Sequence, residues 1–153
     1  MAASLKHAAW IISGGLLIGT LDAIYAIVFW GMRGAAPIRI FQSIAAGLLG
    51  RDAALRGGIR TEALGLGLHY LIALVIVVVY FVASRFWPAL LQRPIIYSAM
   101  YGILVYIFMN YIVIPLSATS RGPFLLSWVV CSVIVHAFLI GVPAALFARK
   151  AQQ

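Results

Sequence analysis

The chain has 153 residues, of which 65% are hydrophobic and 9% charged. A soluble domain is near half apolar and about a quarter charged, so too few polar residues are present to cover a water-facing surface. The net charge of +8 does not indicate nucleic-acid binding. Lys6, Arg33, Arg60, Arg85, Arg93, Arg121, Arg149 and Lys150 stand at the edges of apolar blocks, where cations meet lipid headgroups, and no basic patch interleaved with aromatics occurs.

The first apolar block predicts a spanning helix over about 8–32. It is longer than a signal-peptide core, contains Asp22 and lacks a convincing small-x-small site, so it reads as a retained helix. Pro37 then opens a shorter amphipathic segment, 37–50, with Ile38, Phe41, Ile44, Ala45 and Leu48 at helical spacing. At ~21 Å it is too short to cross ~30 Å of hydrocarbon. It is expected to lie at the interface or to dip in as a re-entrant segment. Arg51, Asp52, Arg56, Gly57 and Gly58 read as a loop.

A second span covers about 61–86 and ends on Arg85-Phe-Trp-Pro88, an interfacial aromatic anchor. A third covers about 94–116, with Pro115 expected to bend or fray its last turn. The fourth is expected over about 123–148, with Pro143 kinking it. The fold class is therefore an all-α membrane protein. It is a single domain (1–153), a four-transmembrane-helix bundle with one short non-spanning helix, antiparallel neighbours and both termini on one side. Basic residues split five against six between the two sides. The dense helix 1–2 loop slightly favours that loop being cytoplasmic.

Each span carries one strongly polar residue: Asp22, His69, Asn110 and His136. From the helix 1–2 loop side their depths are ~15, ~12, ~10 and ~20 Å. Such groups are expensive in hydrocarbon and turn inward. Asp22 can accept a hydrogen bond from His69 or His136, and a carboxylate with imidazoles can relay protons. Asp22, His69 and His136 are also candidate ligands for a transition metal, and two histidines on different helices can ligate haem. Unequal depths weigh against haem, and the lack of close ligand spacing weighs against a metal. The plainer alternative is that all four are interhelical hydrogen-bonding groups that fix packing.

Phosphate loops, nucleophile elbows, C-x-x-C and H-E-x-x-H are absent, which points away from an enzyme. The single cysteine, Cys131, reads as a packing residue. Asp52 and Glu62 are expected to pair with Arg51, Arg56 or Arg60, and those arginines can hold an anionic lipid headgroup. Gly15-x-x-x-Gly19, Ser98-x-x-x-Gly102 and Gly141-x-x-x-Ala145 offer close-packing faces for a homo-oligomer. A place as an accessory subunit in a larger membrane complex is the competing expectation.

Gly19-Thr-Leu-Asp22, the run Pro37–Gly50, Leu66-Gly-Leu-His-Tyr70 and Met109–Ser117 together resemble the YagU-like family of small bacterial inner-membrane proteins. The resemblance covers nearly the whole chain. It implies a bacterial cytoplasmic membrane and about four helices, and brings no activity and no site residue with it.

Overall fold

A computed structural model describes residues 2–119, 122 and 124–153. Two features of the sequence reading, Arg121 in the last loop and Pro123 as a helix start, lie outside the described residues.

Four helices are long and apolar enough to cross a membrane, and the chain is a multi-pass membrane protein on that ground. They are α1 (Ala2–Gly31), α4 (Gly58–Phe86), α6 (Pro94–Leu116) and α7 (Leu126–Lys150). Between α1 and α4 lie α2 (Pro37–Leu49) and α3 (Arg51–Arg56), and α5 (Ala89–Gln92) sits between α4 and α6. The expected architecture is present, with one addition. The stretch read as a loop after residue 50 contains the short helix α3, hinged from α2 at Gly50, whose φ of 77° suits glycine.

Neither proline breaks its helix. Pro115 and Pro143 have no N–H for the carbonyls of Tyr111 and Leu139, and both follow widened π-helical turns, Met109–Val113 and His136–Gly141. At the first, the Ile114 N–H reaches back five residues to the Met109 carbonyl. A wide turn gives the proline ring room against the preceding turn.

Successive spans are antiparallel. Gly19 meets Tyr70 and Gly15 meets Leu74 between α1 and α4. Trp10 meets Phe147 and Tyr25 meets Ser132 between α1 and α7. α7 touches α1, α4 and α6, so it forms the centre of the bundle. Its alanine stripe, Ala144, Ala145 and Ala148, is fully buried with Ile18, Ala73, Val77, Tyr80 and Ile140. Small side chains bring backbones together, which is how helices gain contact when lipid is as apolar as leucine.

The close-packing faces expected to serve a homo-oligomer are occupied within the chain. Gly15 and Gly19 receive α4, while Ser98, Gly102 and Gly141 close the α6–α7 contact.

α2 packs on the first half of α4, where the Phe41 carbonyl crosses Gly65. Its one buried polar side chain, Gln42, is 1% exposed. It accepts from Arg39 at 3.1 Å and donates to the Gly58 carbonyl at 3.1 Å and to Thr61 Oγ1 at 3.4 Å. Thr61 in turn donates to the Ala54 carbonyl at 2.6 Å. This knot locks α2, α3 and α4 into one unit. At its far end the Gly47 carbonyl accepts from the Ala118 N–H at 2.8 Å, tying α2 to the α6–α7 connection.

Candidate functional site

Ile11, Ile18, Asp22, Tyr25 and Phe29 recur at spacings of three, four and seven, so they share one stripe of α1. That stripe faces the bundle: Ile18 and Phe29 are buried, and Tyr25 shares a 2.9 Å hydroxyl hydrogen bond with Ser132 of α7. Asp22 therefore projects from the inward side of α1, ~14 Å of helix from Gly31. It makes no hydrogen bond or ion pair to any described residue, and it is half-buried.

His136 stands one helical turn beyond Ser132. Its Nδ1 lies 2.8 Å from the Ser132 carbonyl. A carbonyl only accepts, so Nδ1 carries the proton and, in the neutral ring, Nε2 keeps the lone pair. The ring meets Tyr106 of α6 edge-on at 5.4 Å. Asp22 lies within electrostatic reach of it. Asp22 and His136 are thus brought into one neighbourhood, bounded by Tyr25, Tyr106 and Ser132.

The other two polar residues point elsewhere. His69 donates from Nε2 to the Gly19 carbonyl at 2.7 Å, with its ring edge-on to Phe41 at 6.2 Å and to Tyr70 at 5.6 Å. Asn110 donates to the Tyr106 carbonyl of its own helix at 2.9 Å. Neither histidine hydrogen-bonds to Asp22, and each has one ring nitrogen on a helix carbonyl. Among the described residues, no group of three or more His, Cys, Asp or Glu is placed to hold a metal ion.

The packing explains the separation. Toward the face that carries α2 and α3, α4 leans on α1 and α2, whereas α7 leans on α1 and α6. α1 is the shared wall. Gly19 looks toward α4 and accepts from His69, and Asp22 stands on the flank toward α7, within electrostatic reach of His136.

An aromatic group closes the outer end of the α1–α7 seam. Trp128 stacks on Tyr25 at 5.1 Å and meets Phe29 at 4.9 Å and Trp30 at 5.1 Å. The Arg33 guanidinium lies 3.8 Å over the Phe29 ring and donates to the Phe29 carbonyl at 2.9 Å. At the opposite face Lys150 Nζ sits 4.6 Å over Trp10. These cations finish the apolar rods in the manner of interfacial anchors. By contrast, Asp52 and Glu62 form no ion pair with Arg51, Arg56 or Arg60 among the described residues, contrary to the expected pairing.

The burial of Gln42 is not among the expectations drawn from the sequence. The signal was available: Gln42 is four residues from Ile38, three from Ala45 and four from Ala46, which puts it on their face.

No family model, no curated protein and no solved structure matches this chain.

Proposed function

We propose that the protein handles protons within the membrane at the Asp22–His136 pair. The observation that carries this reading is Asp22 itself. An ionisable carboxyl sits on the inward stripe of a spanning helix with no hydrogen-bond partner, near an imidazole whose Nε2 keeps its lone pair. An ionised carboxylate left so would be costly at membrane depth. A group that takes up and releases a proton, with a neighbouring base to exchange it, relieves that cost in one of its two states. Tyr25 and Ser132 share a hydroxyl hydrogen bond on the loop-face side of the pair. The family resemblance supports the bacterial inner membrane as the setting.

The test is decay of an imposed pH gradient in liposomes. Proteoliposomes should lose the gradient faster than empty liposomes, and His136→Gln should slow that decay several-fold, because Gln cannot exchange a proton. Equal decay with and without protein would remove the proposal.

An accessory-subunit reading is supported by His69 and Asn110, which are satisfied by helix carbonyls as packing residues are. Under that reading, a stoichiometric partner co-purifies and the gradient decays at the empty-liposome rate.

A further inference from the structure

The face built from α2, α3 and the start of α4 holds exposed cations that the chain does not neutralise. Arg51 and Arg56 line a shallow open cup together with Leu49, Gly50, Asp52 and Ala53. Neither arginine makes a hydrogen bond or ion pair to a described residue. Arg39 and Arg33 on this face are engaged, Arg39 by Gln42 and the Leu55 carbonyl and Arg33 by Phe29 and Ser127. Arg60, like the two arginines of the cup, makes no such bond to a described residue.

Leu49 lines the cup, and Leu48 and Ile59 are exposed apolar side chains close to it in the chain. Leu48 is 64% exposed, Leu49 45% and Ile59 71%. In water, bare leucines and isoleucines beside bare arginines would be wasted burial. At a bilayer surface this is the pattern of a segment lying with its apolar side chains among acyl chains and its cations at the phosphates. The knot around Gln42 fixes α2 and α3 to α4, so the cup keeps its place relative to the spanning bundle.

We infer that this cup binds the headgroup of an anionic phospholipid, with the Arg51 and Arg56 guanidiniums on the phosphodiester. Two guanidiniums against the Asp52 carboxylate leave one positive charge in the cup. A lipid with a single phosphodiester charge and a neutral headgroup, such as phosphatidylglycerol, matches it. A zwitterionic lipid brings no net charge, and its cationic end is repelled by the surrounding arginines. Leu48 and Leu49 lie where the acyl chains of such a lipid would leave the cup. Arg60, exposed on the first turn of α4, adds to the field that draws the anion. The site is separate from Asp22 and does not depend on the proton reading.

Detergent-purified protein would be titrated with phosphatidylglycerol, phosphatidylethanolamine and phosphatidylcholine of one acyl composition, and bound lipid counted by native mass spectrometry. Phosphatidylglycerol is expected to bind tightest, and the pair Arg51→Gln with Arg56→Gln to weaken it about thirtyfold while the melting temperature stays unchanged. Equal affinity for the three lipids, or an unaltered affinity in the glutamine pair, would overturn the inference. If the glutamine pair fails to fold, Arg51→Lys with Arg56→Lys decides the matter. Phosphatidylglycerol bound more weakly by the folded lysine pair than by the wild type supports the cup, because an ammonium does not reproduce the guanidinium contact, and an affinity unaltered in the lysine pair overturns it.

Discussion

Gly102→Leu is expected to leave no stable bundle. α6 and α7 cross with their backbones touching. A methyl group at Gly102 would overlap the His136 carbonyl oxygen and stand 2.9 Å from the Ala137 Cα. At the reciprocal position, a methyl group on Gly141 would overlap the Ser98 carbonyl oxygen and stand 3.1 Å from the Gly102 nitrogen. These neighbours are backbone atoms, so no rotamer change makes room. Even Gly102→Ala should cost ~3 kcal/mol, the upper end for overpacking a tight core. A leucine must part the two helices along their length, and in lipid the lost van der Waals contact is most of what held them together. Gly67→Leu is the control, because nothing lies within 4 Å of a Cβ there. Thermal unfolding in detergent should show a wild-type transition for Gly67→Leu and none for Gly102→Leu. A normal transition in Gly102→Leu would mean that the helices cross less closely than described.

Asp22→Asn should reduce proton movement to the rate of empty liposomes without unfolding the protein. Asparagine keeps the size and the hydrogen-bonding capacity of the side chain but cannot ionise. Asp22 makes no hydrogen bond or ion pair to a described residue, so the change breaks none, and a carboxylate is unfavourable at membrane depth. Stability should be equal or higher while function is lost. That split separates a proton-carrying role from a packing role, in which stability and flux would fall together. Asp22→Glu restores the ionisable group and should restore at least part of the rate. A wild-type rate in Asp22→Asn would exclude the carboxyl from the path.

The spans were legible in the sequence because their signal is composition over twenty or more residues. Pro37 and Pro94 mark helix starts in the structure as they do in the sequence. α3 was missed because six residues between Gly50 and Gly57 show no period, and glycines at both ends read as turns. The prolines were legible as irregularities, but not that a π-helical turn would precede each of them. Position along a helix follows from the sequence, since the rise per residue is fixed. Azimuth was only partly legible. His69 and Asp22 come to a similar depth, yet α1 turns one flank to α4 and the other to α7, so each histidine finds its own side of that helix. That outcome depends on which helix takes which neighbour, and a period within a single helix does not carry it. The small-residue motifs were correctly read as close-packing faces, but a motif does not say whether the partner is another helix of the same chain or another chain.

The central claim is that Asp22 is an exchangeable carboxyl in the bundle interior, paired with His136. A hydrophobic carbodiimide tests it most directly, because it partitions into the bilayer and reacts with protonated carboxyls. Among the three acids of the chain, mass spectrometry should find the adduct on Asp22 in preference to Asp52 and Glu62, with a yield that falls as pH rises and a rate that changes in His136→Gln. Modification of Asp52 and Glu62 with Asp22 untouched at every pH, or an Asp22 rate indifferent to His136, would contradict it.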